Sequence, residues 1–281
     1  MLSGRARIAG VIGWPVAHSL SPRLHGFWLR HYGIDGAYIP LPVAPQDLEA
    51  VVKALPKLGF VGANVTIPHK ETVIAHLDHV APLAQKVGAV NTLIVGDDGK
   101  ISGLSTDGFG FLASLSASQP GWQAAAGAAV VIGAGGAARA IVQALIEAGV
   151  PEIRLVNRTA RRARALADHL GGPITLIDWQ DRAAALESSN LLVNATSLGM
   201  RGEPPLALAL DALPREAVVA DIVYVPLLTE LLASAAARGN RVVDGLGMLL
   251  HQARPAFAAW FGIEPEVTAE LKLSVLQAAQ G

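Results

Sequence analysis

Val130-Val131-Ile132-Gly133-Ala134-Gly135-Gly136-Ala137-Ala138-Arg139 runs from an apolar strand through a glycine-rich turn into an alanine-rich helix. In that order, Gly133 permits the tight turn and Gly135 lets the backbone approach a pyrophosphate. Ala138 takes the third small position, where helix and strand pack closely. The free N–H groups and partial positive charge of the helix N-terminus, with Ala134, Gly136 and Ala137 around it, suit an anion. Glycines that serve only a turn and close packing are the competing explanation.

The next strand, Ile153-Arg154-Leu155-Val156, bears on that choice. It ends in Asn157-Arg158-Thr159, with Arg161 and Arg162 following. An NAD-binding fold usually places an acid here to hold the ribose 2′-hydroxyl. This chain has no carboxylate there, and arginine grips a 2′-phosphate through paired, charge-assisted hydrogen bonds. The cofactor expected is therefore NADP in preference to NAD. A solvated helix start is the alternative, although cations near a helix N-terminus call for an anionic partner.

The 281 residues, 52% hydrophobic, supply core for two domains. A net charge of −1 leaves no electrostatic footprint for nucleic acid or an anionic membrane, so a small-molecule partner is expected. Zero cysteines exclude disulfides, thiolate catalysis and cysteine metal sites; no metal is expected, and the composition is compatible with the cytoplasm. The N-terminal residues show no signal peptide. The uncharged stretch 108–138 is interrupted by Ser114, Ser116, Ser118 and Gln119-Pro120-Gly121, which makes it a helix, a linker and a buried strand in preference to a membrane span.

Apolar runs at 8–12, 37–41, 62–66 and 92–95 alternate with helical segments at 22–31, 45–55 and 81–87. A second unit begins near 115–123. Its expected strands, 129–132, 153–156, 191–194, 218–222 and 242–243, alternate with helices, among them 161–169 and 231–238. Such alternation predicts an α/β protein whose second domain is a Rossmann-like, doubly wound parallel sheet. Helices at 248–261 and 265–280 have no strand to follow and are expected to pack back on the first domain. The domains expected are 1–108 plus 247–281 for substrate and 109–246 for the nucleotide.

Polar groups gather in the first domain. Ser19 and Ser21 precede a helix whose first residue is Pro22; Ser21 fits an N-cap, and two hydroxyls at a helix N-terminus also cradle a carboxylate. In Asn64-Val65-Thr66-Ile67-Pro68-His69-Lys70, alternation puts Asn64 and Thr66 on one polar face, which a solvated edge strand would also explain. Lys70 can be a surface lysine or, in a cleft, exchange a proton with a reacting hydroxyl. Asp107 is its candidate carboxylate partner, with capping of a helix at 109–115 as the rival role. Asn91 can be a turn residue before a strand.

Together, Ser19-Leu20-Ser21-Pro22, Asn64 to Lys70, Gly88-Ala89-Val90-Asn91-Thr92, Thr106-Asp107-Gly108, Gly133 to Arg139, Asn157-Arg158-Thr159 and Asp244-Gly245-Leu246-Gly247-Met248-Leu249 with downstream Gln252 resemble the shikimate/quinate dehydrogenase family over nearly the whole chain. The resemblance, not the spacing, implies NADPH-dependent, reversible reduction of 3-dehydroshikimate to shikimate, on the route to chorismate and aromatic amino acids. It implies that Ser19, Ser21 and Tyr224 bind the substrate carboxylate. Thr66, Asn91, Asp107 and Gln252 would hold the ring hydroxyls, Asn64 would support the cleft, and Lys70 with Asp107 would form the acid–base pair. Gly133, Ala134, Gly135, Gly136 and Ala137 would cradle the pyrophosphate; Asn157, Arg158, Thr159 and Arg162 would surround the adenosine ribose and its 2′-phosphate. Thr196, Ser197, Ile222, Gly245 and Met248 fall at positions near the ribose and nicotinamide. Strand-end turn, core packing and helix-surface roles stay open for Thr196-Ser197, Tyr224 and Gln252.

One departure stands out: Ser105 occupies a place where the family usually has Asn, and altered support for Asp107 or its loop is expected, not lost activity. Two other functions remain open. One is a relative oxidising quinate or an amino-substituted ring with NAD, against which Arg158 and Ser21 speak; the other is a non-catalytic sensor, against which Lys70 and Asp107 speak. Monomer and homodimer are both compatible with the sequence.

Overall fold

The computed structural model describes residues 2–279, with side chains as far as Gln277. The chain divides into two compact units, one reaching Thr106 and resuming at Gln252, the other covering Asp107–His251.

The first unit carries strands β1 (Arg7–Gly13), β2 (Gly36–Pro42), β3 (Phe60–Val65), β4 (His79–Val80), β5 (Thr92–Val95) and β6 (Ile101–Leu104), and helices α1 (Ser21–His31), α2 (Leu48–Ala54) and α3 (Pro82–Val87). Its mixed sheet has the order β2-β1-β3-β5-β6-β4: β1 runs parallel to β2 and β3, while β5 is antiparallel to both β3 and β6. The 45–55 segment expected as one helix splits into a 3-10 turn, Pro45–Asp47, followed by α2. Sequence periodicity missed β4 and β6, for physical reasons. The first has two residues, and β6 contains Gly103, where a Cβ would lie 2.5 Å from Leu77 Cδ1 and 2.9 Å from Val90 Cγ2. Close side-chain approach there requires the residue that depletes strand propensity.

The second unit carries α4 (Asp107–Ser118), β7 (Ala128–Ile132), α5 (Gly136–Glu147), β8 (Ile153–Val156), α6 (Ala160–Leu170), β9 (Ile174–Ile177), β10 (Ser189–Asn194), β11 (Val218–Asp221), α7 (Glu230–Ala237) and β12 (Arg241–Val243). All its strands are parallel, in the order β12-β11-β10-β7-β8-β9. Successive side chains of β7 enter opposite layers: Ala129 and Val131 join one buried cluster, Val130 and Ile132 the other. That is the doubly wound arrangement, with the reversal of strand order between β7 and β10. β9, unforeseen from sequence, extends the edge.

Two further helices follow, α8 (Gly245–Phe261) and α9 (Ala269–Ala279). The last helix begins four residues later than the 265–280 expected, and Gln280, like Met1 and Gly281, lies outside the described residues. The division between units also departs from the expected limits at 108/109 and 246/247: Asp107, Gly108 and residues 247–251 group with the second unit. Close packing accounts for this. A Cβ on Gly108 would lie 2.7 Å from the Ala140 carbonyl oxygen, one on Gly247 would overlap Ser114 Oγ, and Met248 is part of the core around β7.

The C-terminal segment closes the first unit. Trp28 Nε1 donates to Glu266 O at 3.0 Å and Trp260 Nε1 to Leu93 O at 2.9 Å. A Cβ at Gly62 would overlap both the Trp260 indole N–H and the Leu93 carbonyl. Gly62→Ala is therefore expected to cost about 3 kcal/mol, from overpacking and a broken buried hydrogen bond. A urea midpoint unchanged from wild type would contradict it.

Candidate active site

Candidate site residues of the first unit collect where β1 and β3 end and the antiparallel β5 begins. β3 is interior, so the edge-strand explanation for Asn64 fails. Asn64 is 5% exposed, and its amide is engaged at both ends: Oδ1 accepts from Tyr38 Oη at 2.7 Å, while Nδ2 donates to Asn91 O at 3.1 Å and Thr92 Oγ1 at 3.2 Å. With both Nδ2 hydrogens donated within the protein, this side chain holds its neighbours in place, and Oδ1 keeps its second lone pair.

Asn91 is equally buried and does more than make a turn. Its Nδ2 donates to Thr106 Oγ1 at 2.8 Å and Gln252 Oε1 at 3.0 Å, and its Oδ1 accepts from Thr106 N at 2.8 Å. Thr106 Oγ1 in turn lies 2.8 Å from Gln252 O as a donor. The structure thus brings Asn64, Asn91 and Gln252 into one lattice whose centre is Thr106, a residue to which the sequence pattern assigns no role. The only hint was its place beside Asp107. Ser105, the departure from the family pattern, is half-buried between β6 and α4.

Lys70 lies at the end of a loop pinned at both sides. Thr66 N donates to Ile12 O at 2.8 Å, His69 N to Thr66 O at 2.9 Å, and Val90 N to Lys70 O at 2.8 Å; His69 Nε2 sits 2.8 Å from Val43 O. Thr66 and Lys70 are both half-buried. Ser19 and Ser21 meet at the start of α1, where Ser21 N donates to Ser19 Oγ at 3.3 Å. Ser21 is the first residue of α1, not its cap; the cap position falls on Leu20, which makes no side-chain capping bond. Asp107 and Tyr224 belong to the second unit. Asp107 is 4% exposed in the first turn of α4, inside the helix it was considered to cap, and Tyr224 is half-buried in the loop after β11.

The residues expected from the sequence to hold a nucleotide lie at or beyond the C-terminal ends of the parallel strands, where open α/β sheets bind ligands. Gly133 has φ +123° and a Cβ there would be 2.7 Å from Ala195 O, so its glycine is demanded by the fold. Gly135 differs. Its φ of −93° is ordinary and nothing lies within 4 Å of a Cβ position, so neither conformation nor protein packing requires glycine there. What the missing side chain leaves is open space before the α5 N-terminus, where no side chain caps the N–H groups of Gly136 and Ala137. This fits an anionic pyrophosphate. At the end of β8, Asn157 Nδ2 donates to Thr159 O at 2.9 Å, and Arg158, Arg161 and Arg162 are exposed around the α6 N-terminus. Ser197 is exposed and Thr196 half-buried after β10; Ile222 is half-buried after β11, and Gly245 and Met248 are buried in α8. No group of His, Asp or Glu among the described residues has metal-site geometry, and no helix there is long and apolar enough to cross a membrane.

Three family models match in chain order: "Shikimate dehydrogenase substrate binding domain" over residues 11–93, "Shikimate / quinate 5-dehydrogenase" over 116–200 and "Shikimate 5'-dehydrogenase C-terminal domain" over 245–269. A shikimate dehydrogenase (NADP(+)) of Paramagnetospirillum magneticum is 61% identical, covering 98% of this chain and 100% of that protein. The shikimate 5-dehydrogenase of Thermus thermophilus, solved with NADP(H) and shikimate, is 39% identical, with a TM-score of 0.84 over 98% of each chain. A quinate dehydrogenase of Corynebacterium glutamicum solved with NAD is 31% identical, with a TM-score of 0.89 over 97% of this chain and 99% of that one.

Proposed function

The chain belongs to the shikimate dehydrogenase family, and on that premise we propose that it is a cytoplasmic enzyme catalysing the reversible, NADPH-dependent reduction of 3-dehydroshikimate to shikimate, a step in chorismate and aromatic amino acid formation. The observation that carries it is the buried Asn64–Asn91–Thr106–Gln252 lattice, polar machinery that packing alone does not call for, beside an anchored loop whose Lys70 carbonyl accepts from Val90 N, next to Asn91.

Reduction of a ring carbonyl adds a hydride to carbon and a proton to oxygen. NADPH, when bound, supplies the hydride from nicotinamide C4. Lys70 Nζ gives the proton to the developing alkoxide, and its positive charge stabilises that oxygen beforehand; Asp107 completes the acid–base pair. Thr66, Asn91 and Gln252 orient the ring through its hydroxyls, with Asn64 fixing Asn91. Ser19, Ser21 and Tyr224 hold the carboxylate. Gly133 to Ala137 receive the pyrophosphate, while Arg158 and Arg162, with Asn157 and Thr159, take the 2′-phosphate; absence of a carboxylate at the end of β8 favours NADP over NAD. Thr196, Ser197, Ile222, Gly245 and Met248 shape the nicotinamide end.

A second reading, quinate oxidation with NAD, has a structural relative to recommend it. Offering shikimate and quinate, each with NADP and with NAD, and following nicotinamide absorbance decides between them. Shikimate with NADP is expected to give the highest kcat/KM. Quinate or NAD winning would overturn the specificity, and silence in all four would leave a ligand-binding sensor.

A further inference from the structure

Asn194 ends β10 and Asp221 ends β11, and the two residues face each other in register across the parallel pair. Both are buried, at 0% and 2% exposure, below the loops that carry Thr196, Ser197, Ile222 and Tyr224. The Asp221 carboxylate accepts three hydrogen bonds. Oδ1 receives Asn194 Nδ2 at 3.0 Å and Val223 N at 3.0 Å; Oδ2 receives Thr229 Oγ1 at 2.8 Å. Asn194 extends the network into the other loop, where its Oδ1 accepts from Thr196 N at 3.1 Å and Thr196 Oγ1 at 2.7 Å, and its Nδ2 donates to Leu198 O at 3.0 Å. Ile222 N closes the gap by donating to Asn194 O at 3.1 Å. Gly245 seats against the same segment, since a Cβ there would overlap the Ile222 carbonyl.

We infer that Asp221 is a positioning residue for the nicotinamide end of the cofactor: one buried carboxylate sets both strand-end loops. Three inbound donors suit an acceptor-only, ionised group, which no apolar side chain of the same shape can replace. Burial nevertheless pushes the Asp221 carboxyl above its ordinary range, against the pull of its three donors. A group whose charge the fold disfavours is poorly explained by stability alone. Thr229 takes a second role, accepting from Leu232 N at 3.3 Å to cap α7, so the far end of the second loop is fixed by the same hydroxyl.

The inference rests on the NADP-dependent reading above, and its test separates the two. Asp221→Ala, Asp221→Asn and Thr229→Val are compared with wild type for NADP+ binding by calorimetry, for shikimate oxidation with each substrate varied, and for thermal unfolding. Asp221→Ala is expected to weaken NADP+ binding and lower kcat/KM for NADP+ by tenfold or more. Asp221→Asn, which keeps the Oδ1 acceptor, is expected to recover most of that loss. Thr229→Val should give an intermediate loss, and carries the test should Asp221→Ala fail to fold. Folded variants that bind NADP+ within twofold of wild type, or that change only the shikimate KM, overturn the positioning role. A wild-type chain that binds NADP+ but leaves shikimate untouched overturns the substrate reading while the binding measurement still judges Asp221.

Discussion

Lys70→Ala lowers kcat for shikimate oxidation by about 10²–10⁴-fold, the usual worth of a positioned general acid or base, and leaves the shikimate KM within a few-fold of wild type. The expectation follows from how the residue is held. Its carbonyl accepts from Val90 N and the preceding His69 is fixed against Val43 O, so the loop keeps its course when the side chain is cut away. The loss then falls on the chemical step. Lys70→Arg adds a control: a guanidinium keeps the charge but does not give up its proton. An anchor would survive that exchange and a proton donor would not, so Lys70→Arg should bind shikimate normally and turn over as poorly as Lys70→Ala. Small primary amines added to Lys70→Ala should restore part of kcat. A drop below tenfold, with KM raised instead, would reduce Lys70 to a binding residue.

The nucleotide half was legible in the sequence because its signals are local. A strand, a glycine turn and a helix follow one another within residues 130–139, and the switch to arginine at Arg158 lies at the end of the next strand. Strands 153–156 and 92–95 matched the structure at both ends, since apolar runs there are bounded by turn residues. The first unit was harder. For Asn64 the sequence left an edge strand as a competing explanation, because a polar face is the ordinary sign of one, whereas it is interior and bonded to Tyr38, Asn91 and Thr92 from two other strands or their flanks. Partners separated by 26 to 28 positions leave no periodic trace. Thr106 was hidden for the same reason, its partner Gln252 being 146 positions away. Asp221 was passed over because a buried acid at a strand end looks, in one dimension, like any strand terminator.

His25 makes the first unit acid-labile. Its imidazole is wholly buried one turn beyond Ser21, stacked on Tyr38 with centroids 4.0 Å apart and walled by Trp28, Phe257 and Trp260. Neither ring nitrogen makes a hydrogen bond of full geometry, and Asn64, the polar side chain that acts on the ring, is also bonded to Tyr38, Asn91 and Thr92. Loss of water dominates over the opposing pull of Asn64, and lowers the histidine from 6.5 to about 3. The folded state therefore refuses a proton that the unfolded chain accepts. Stability from this group is fully present above pH 6.5 and is lost as pH falls towards 3, at about 1.4 kcal/mol per unit, or about 2 kcal/mol between pH 7.5 and 5. His25→Phe preserves a flat ring in the cage and cannot titrate. Urea midpoints at the two pH values, read from tryptophan fluorescence with Trp28 and Trp260 in contact with the ring, should show the wild type losing about 2 kcal/mol more than the variant. Equal losses would mean that the imidazole is protonated without cost, and the cage would have to open in the native state. Through Tyr38 Oη, which donates to Asn64, the same ring lies three contacts from Asn91, so acid that loosens the cage should also raise the shikimate KM before the chain unfolds, and should do so in the wild type but not in His25→Phe.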